Sequence, residues 1–230
     1  MRPPIVASEL ESKRSLNMPL RSALCAAIFA IVFAGAGRAQ DRGTASFSQR
    51  DLQAKIIYCK TCHGLSGEGY RGYIPMPRLA GQQPKYLENQ LRAFIERRRT
   101  NPIMYQVAHV LSPSMLTALA THFSDLNPEP LGGAPKELVA PGKAIYEDGS
   151  PETNVAACSA CHGSEAKGQG EIPRLAGQFF PYIVKALTNW SKERGQDPST
   201  EDTSAIMRLT AHNLTQTQIA AVAAYVSYQK

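Results

Sequence analysis

The sequence predicts an α-helical protein built from two tandem copies of one small domain. The first observation is an internal repeat, because Pro-Arg-Leu-Ala-Gly-Gln occurs at residues 77–82 and again at 173–178. The second is that apolar residues recur at helical spacing in both halves. The third is a stretch with several Pro and paired Gly at 126–135, which cannot continue a helix. The predicted N-terminal domain, linker and C-terminal domain cover residues 40–127, 128–140 and 141–230.

The first 39 residues have the features of a signal peptide and are excluded from the fold. Arg14 and Arg21 supply positive charge, residues 24–33 form an apolar run, and small residues lead to a predicted cleavage site after Ala39. This segment predicts export to the periplasm. An uncleaved membrane anchor is the alternative, and it ranks second because the apolar run is short for a span of about 20 residues.

A helix is predicted to lead into each half. In the first half it carries three residues at i, i+4 and i+7, which are Leu52, Ile56 and Cys59. Tyr58 adjoins its Cys, whereas the loosely matching Tyr146 precedes Cys158 by twelve positions. The second half is therefore expected to contain an inserted loop around residues 148–151.

Two further helices follow in each half. A helix is predicted over about 85–98, and its apolar face recurs 96 positions later. The matching residues are Leu87, Leu91 and Phe94, with Ile183, Leu187 and Trp190. The last helices are predicted to start at Ser112 and Thr215, and Thr215 with Gln218 forms a capping-box pattern. The three arginines at 97–99 are interpreted as a solvated helix end rather than a docking patch.

Two five-residue motifs carry the chemistry of the chain. Cys-Lys-Thr-Cys-His occupies residues 59–63 and Cys-Ser-Ala-Cys-His occupies 158–162. This is the pattern for covalent attachment of a c-type haem. Two thiols at this spacing meet the two vinyl groups of one haem, and the adjacent histidine coordinates the iron. The sequence therefore predicts two covalently bound haem c groups, attached at Cys59, Cys62, Cys158 and Cys161 and ligated by His63 and His162.

A zinc knuckle or a dithiol redox site is the alternative interpretation of a Cys-x-x-Cys pair. It ranks far behind, because each motif has a histidine directly after its second cysteine and lies within a longer repeat. Four of the five cysteines belong to the motifs, and the fifth, Cys25, lies in the predicted signal peptide. No structural disulfide is therefore expected.

The second axial ligand decides between electron transfer and catalysis, because a methionine closes the iron site whereas an open site admits substrate. In the second half a single methionine, Met207, follows the haem motif. The internal repeat places Met104 on Met207 without a gap, so these two are the predicted ligands. Met76 and Met115 are interpreted as packing residues. A bis-histidine alternative that uses His109 and His212 ranks second, because these positions favour surface or hydrogen-bonding roles.

With these residues in place, the chain resembles the dihaem class I cytochromes c of the cytochrome c4 type over residues 45–230. The resemblance implies an all-α fold of two tandem class I cytochrome c domains related by a pseudo-twofold axis, with the haem propionate edges facing each other. It also implies that Pro77 and Pro173 hold the axial histidines through their carbonyls. Arg78 and Arg174 are then candidates for propionate binding, with solvated arginines as the alternative. In this interpretation Tyr86 and Tyr182 line the propionate side of the haems, and the alternative is that they serve only as packing residues.

The predicted function is that of a periplasmic electron carrier between respiratory donors and an acceptor such as a haem-copper terminal oxidase, without enzymatic activity of its own. Its partners would be redox proteins, with peripheral membrane association as an option. Nucleic acid is not expected, because residues 40–230 hold 20 Lys and Arg against 17 Asp and Glu and the haem propionates add negative charge. The alternatives are a dihaem subunit of a sulfide, thiosulfate or alcohol dehydrogenase and, with less support, a dihaem peroxidase.

Overall fold

The computed structural model describes residues 47–194 and 204–230, so the predicted signal peptide lies outside the described residues. Every regular element in these two ranges is a helix, and paired backbone segments occur there only as isolated bridges. The two halves pack against each other in a single compact unit. Within the described ranges no single helix is long and apolar enough to cross a membrane, although α3 and α4, defined below, pass the same test as a pair bent by 111°.

Four helices form the N-terminal half: α1 (Gln49–His63), α2 (Pro84–Ile95), α3 (Pro102–Ala108) and α4 (Pro113–Ser124). Ser48 begins α1 with a capping box to Asp51, and Ser112 caps α4 as predicted. The first helix ends at the motif histidine because Gly64 follows with φ +89°, a conformation that favours glycine. The chain therefore leaves the helix directly after His63.

The C-terminal half repeats this plan with a divided first helix. Its elements are a 3₁₀ turn (Lys136–Leu138), α5 (Val139–Asp148), a second 3₁₀ turn (Pro151–Thr153), α6 (Ser159–His162), α7 (Phe180–Thr188), α8 (Trp190–Glu193), α9 (Ser204–Asn213) and α10 (Gln216–Tyr228). The predicted inserted loop separates α5 from α6. Gln218, in the predicted capping box of α10, donates through Nε2 to Ser150 Oγ at 2.8 Å and ties this loop to the last helix.

Two details differ from the sequence predictions. The second helix ends at Ile95 rather than near residue 98, and the chain turns where Arg97 adopts φ +60°. The segment around Met207, which lacks strong periodicity, is nevertheless helical as α9. In α9 the apolar residues Ile206 and Leu209 are exposed, so apolar spacing gives little signal for this helix.

Each half has its own apolar core beside its haem motif. In the N-terminal half Ile56 of α1 is 2% exposed and packs with residues of α2 and α4. In the C-terminal half the core forms where α5 crosses α10. Gly142 allows this crossing, because a Cβ at this position would lie 2.0 Å from Ala221 O. Such an approach excludes any side chain on the α5 surface at this point.

We predict that Gly142→Ala destabilises the haem-loaded protein by about 1–3 kcal/mol, the usual cost of overpacking. The gain in helix propensity, about 1 kcal/mol, does not offset a clash with backbone atoms. Chemical denaturation followed by far-ultraviolet circular dichroism measures the difference. Lys143→Ala on the exposed side of α5 is the matched control and should change stability by no more than about 0.5 kcal/mol. Equal stability of Gly142→Ala and wild type would contradict the packing described.

Candidate haem sites

The two motif histidines are buried and identically held. His63 and His162 are 7% and 5% exposed. Their Nδ1 atoms lie 2.9 Å from the carbonyl oxygens of Pro77 and Pro173 respectively. A carbonyl can only accept a hydrogen bond, so each Nδ1 carries the proton and each Nε2 keeps a free lone pair. Burial lowers the pKa of both histidines, although the carbonyls oppose the shift. The neutral imidazole with an available Nε2 is the form that ligates a metal.

The motif cysteines are free thiols in both halves. Cys59 and Cys158 are partly buried, and burial raises the pKa of each to about 11. Cys62 and Cys161 are exposed. None of the four forms a disulfide. Each motif therefore presents two thiols and a neutral imidazole on one turn of helix, which is the donor set that covalent haem attachment requires.

Met104 and Met207 occupy equivalent places in the two halves. Met104 lies on α3 and Met207 on α9, the helices that immediately precede the last helix of each half. Both side chains are only partly buried by the protein itself. Met115, in contrast, is 5% exposed in the N-terminal core, which confirms its predicted packing role. A methionine available as a ligand is therefore found in each half outside the core.

The two histidines of the bis-histidine alternative are surface residues. His109 and His212 are both exposed. His109 stacks on Tyr105, with ring centroids 5.1 Å apart, and its Nδ1 donates to Tyr105 O at 3.0 Å. This local contact uses the ring within its own helix turn. The geometry therefore favours the predicted surface and hydrogen-bonding role over iron ligation.

The repeated hexapeptides meet at the interface between the halves. Gln82 Nε2 donates to Arg174 O at 2.9 Å, and Arg174 N donates to Gln82 Oε1 at 2.7 Å. The reciprocal pair joins Gln178 Nε2 to Arg78 O at 3.0 Å and Arg78 N to Gln178 Oε1 at 2.7 Å. Four hydrogen bonds thus relate the two copies by an approximate twofold axis. The identical hexapeptides indicated a shared role, but only the structure shows that each glutamine crosses to the other domain.

A second pair of reciprocal contacts joins arginine to tyrosine across the same interface. Arg99 Nη2 donates to Tyr182 OH at 2.9 Å, and Arg194 Nη1 donates to Tyr86 OH at 3.5 Å. The interpretation of residues 97–99 as a solvated helix end is therefore wrong for Arg99. A signal was present in the sequence, since Arg99 follows Phe94 by five positions and Arg194 follows Trp190 by four. Because these two spacings differ by one residue, an ungapped alignment of the repeats does not place Arg99 on Arg194.

Positive charge is concentrated at this interface. Burial raises the pKa of Tyr182, but the charges of Arg99 and Arg194 outweigh that effect and lower it. Burial, with a contribution from the like charge of Arg174, lowers the pKa of Arg78 to about 10. Buried charges are costly unless they are paired, so these neighbouring guanidinium groups favour a bound anion.

Two donors at the interface have open hydrogen-bonding capacity. Within the described residues, Arg78 Nη1 and Arg99 Nε are buried and lack a hydrogen-bond partner. Arg78 itself is 3% exposed, and its Nε already donates to Ala80 O at 2.9 Å. Buried unsatisfied guanidinium donors fit a carboxylate. The haem propionates would supply that group beside Arg78 and Arg99, and the two thiols and the held imidazole of each motif fit a haem in each half.

Comparison with known proteins agrees with this geometry. A family model described as cytochrome c matches residues 41–125 and 139–230. The chain belongs to the cytochrome c family. Cytochrome c4 of Thiocapsa roseopersicina is 36% identical over 174 residues, which cover 73% of this chain and 85% of the relative. The solved structure of Acidithiobacillus ferrooxidans cytochrome c4 matches with a TM-score of 0.64 at 36% identity, over 74% of this chain and 97% of that one.

A further relative carries a different name. The thiosulfate dehydrogenase electron acceptor of Thiomonas intermedia is 37% identical over 181 residues, which cover 74% of this chain and 78% of the relative. These likenesses confirm the predicted architecture of two tandem class I cytochrome c domains of the c4 type, with two haem c groups as cofactors. This cytochrome is therefore a dihaem electron-transfer protein.

We predict that Arg99→Leu lowers the stability of the haem-loaded cytochrome by about 1–3 kcal/mol, because it leaves partners of a charged donor unsatisfied. The lost contacts include the bond to Tyr182 OH and a 2.7 Å bond from Nη1 to Gln90 Oε1. Thermal unfolding followed at the haem absorption bands measures the effect. Arg97→Leu is the control, since Arg97 is exposed and stacks on Tyr105 within its own domain. Equal losses in the two variants would contradict the role assigned to Arg99.

Proposed function

We propose that this chain is a periplasmic electron carrier that moves single electrons between redox proteins. One observation carries the proposal: two buried histidines, each held by a proline carbonyl at 2.9 Å, lie in domains joined by reciprocal hydrogen bonds. When bound, each haem supplies one-electron exchange at its iron. The protein contributes a fixed ligand orientation and a fixed relation between the two domains.

We assign the residues that hold each haem from the sequence motifs and from the contacts described above. His63 and His162 would each ligate one haem iron, and Met104 and Met207 would each supply a second ligand. The four motif cysteines form the thioethers. Pro77 and Pro173 orient the imidazoles, and Arg78 with Arg174 faces the propionates. Two closed iron sites suit electron transfer, whereas a peroxidase needs an open or displaceable position.

The domain limits and the location belong to the same proposal. Residues 1–39 direct export and are removed, and the domains occupy 40–127 and 141–230 with the linker at 128–140. The absence of a helix between Asp125 and Pro135 supports a linker there, whereas the 3₁₀ turn Lys136–Leu138 and the start of α5 at Val139 fall in its last five proposed residues. Export is expected of a chain whose haems are attached covalently at Cys-x-x-Cys-His motifs.

The ligand assignment predicts the spectra of single variants. Met104→Ala and Met207→Ala should each remove half of the methionine-to-iron charge-transfer absorption and convert one haem to a high-spin form, because the thioether sulfur is lost. Ferric absorption and electron paramagnetic resonance of the mature protein measure this. Met115→Leu is the matched control and should keep the full band, since Met115 packs in the core. Retention of the full band in either ligand variant would refute that assignment.

A second candidate role has support from the Thiomonas intermedia relative. Its name describes an electron acceptor of thiosulfate dehydrogenase. In this role the cytochrome would be the dedicated acceptor of such an enzyme, rather than a general carrier to a terminal oxidase. The two roles share the haem sites and differ in the donor.

Anaerobic reduction kinetics separate these two roles. A dedicated acceptor should be reduced within seconds by thiosulfate plus a catalytic amount of thiosulfate dehydrogenase, at a rate that saturates with the cytochrome. A general carrier should be reduced at least as fast by a quinol-oxidising membrane fraction and reoxidised by membranes that contain a haem-copper oxidase. Heat-inactivated enzyme and membranes are the controls. Failure of both donors would contradict the proposed carrier function.

A further inference from the structure

We propose that each interface glutamine tunes the reduction potential of the haem in the opposite domain. Gln178 acts on the N-terminal haem and Gln82 on the C-terminal haem. The inference rests on the proposed ligation by His63 and His162. It concerns the peptide group that lies between each glutamine and the histidine of the other domain.

One peptide unit links the two hydrogen bonds in the N-terminal half. The Pro77 carbonyl accepts from His63 Nδ1 at 2.9 Å, and the N–H of Arg78 donates to Gln178 Oε1 at 2.7 Å. This carbonyl and this N–H belong to the same planar peptide, whose resonance couples them. A continuous path of hydrogen bonds therefore runs from the Gln178 side chain to the His63 imidazole.

The same path exists in the opposite direction. The Pro173 carbonyl accepts from His162 Nδ1 at 2.9 Å, and the N–H of Arg174 donates to Gln82 Oε1 at 2.7 Å. The two paths are related by the approximate twofold axis of the interface. Each domain thus supplies the last acceptor of the hydrogen-bond path that begins at the other domain's histidine.

The orientation of both amides follows from their partners. Gln178 Oε1 also accepts from Phe179 N at 2.9 Å, and Gln82 Oε1 accepts from Gln83 N at 2.9 Å. Each Nε2 donates to a carbonyl, namely that of Arg78 or Arg174. A flipped amide would place its NH₂ group against two N–H donors and its oxygen against a carbonyl. The side-chain oxygen therefore faces the peptide N–H in both copies.

Burial makes the coupling effective. Gln82 is 5% exposed, Gln178 is 6% and Arg78 is 3%, so the path through Gln178 lies in a medium of low dielectric constant. Hydrogen bonds in a chain polarise one another, by about 10–30% per bond in condensed-phase estimates. An N–H that donates to Gln178 makes the Pro77 carbonyl a stronger acceptor. A stronger bond to Nδ1 makes the imidazole more basic, which favours ferric iron and lowers the potential.

Potentiometry of haem-loaded variants tests the crossed dependence. Gln178→Leu should raise the potential of the N-terminal haem and leave the C-terminal haem unchanged, and Gln82→Leu should do the reverse. In the reduced, diamagnetic protein the Nδ1 proton of the affected histidine should move upfield in the NMR spectrum, since its hydrogen bond is weaker. Histidine labelled with nitrogen-15 identifies which domain responds.

Gln83→Leu is the matched control. Gln83 Nε2 crosses the same interface to Lys167 O at 2.9 Å and Gly168 O at 3.3 Å, and neither hydrogen bond uses the peptide between Pro173 and Arg174. This variant should shift neither histidine resonance. Gln178→Glu retains an acceptor for Arg78 N and should not raise the potential, so it provides a second measurement if the leucine variant does not fold.

Equal shifts of both haems in all three leucine variants would overturn the inference, because they would show a general loosening of the interface. A shift confined to the haem of the mutated domain, or an upward shift in Gln178→Glu, would overturn it as well. Failure of the proposed iron ligation would appear independently, as high-spin ferric absorption in the wild-type protein.

Discussion

The hydrogen bond from each motif histidine to a proline carbonyl is the contact on which the rest of the structure depends. It fixes the proton on Nδ1 and leaves the lone pair of Nε2 available to a metal. The helix that delivers the histidine must end at that residue, and the chain must return 14 residues later in one half and 11 in the other to present the carbonyl. The glycines after His63 and His162, with φ of +89° and +80°, make these abrupt endings possible. The backbone turn at each of these glycines thus serves to place one imidazole ring.

The loops that hold the histidines also form the interface. The haem sites and the contact between the domains are therefore built from the same residues. Arg78 follows Pro77 directly, so its backbone faces the other domain while its side chain stays in a buried cluster of cations. Arg99 Nε and Arg78 Nη1 remain without partners among the described residues. Protein groups alone therefore leave the interface electrostatically incomplete. Two haems with ionised propionates would supply the missing anions.

The sequence predicted most of what depends on short-range pattern. The Cys-x-x-Cys-His motifs, the capping box of Thr215 and Gln218, the apolar faces and the repeated hexapeptide are each short patterns, and the helices they indicate are present. Arg99 and the crossed glutamines were not predicted, because their partners lie between 83 and 100 residues away in the chain. The end of α2 was misplaced for a related reason, since Arg97 adopts a left-handed conformation that its residue type does not signal. Long-range polar contacts leave no periodic trace in the sequence.

The two halves differ most where the interface does not constrain them. In the N-terminal half one continuous helix leads to the haem motif, whereas in the C-terminal half α5 stops and an inserted loop intervenes. There Tyr146 is fully buried and donates through its hydroxyl to Gly163 O at 2.6 Å, so a side chain joins α5 to the motif in place of helical continuity. The hexapeptide admits no such variation. Each copy must hold its own histidine, present a peptide N–H and C=O to the opposite glutamine, and contribute a glutamine in return. Because a substitution of either glutamine would disturb both domains, the requirement for reciprocity accounts for the glutamine at the end of each copy.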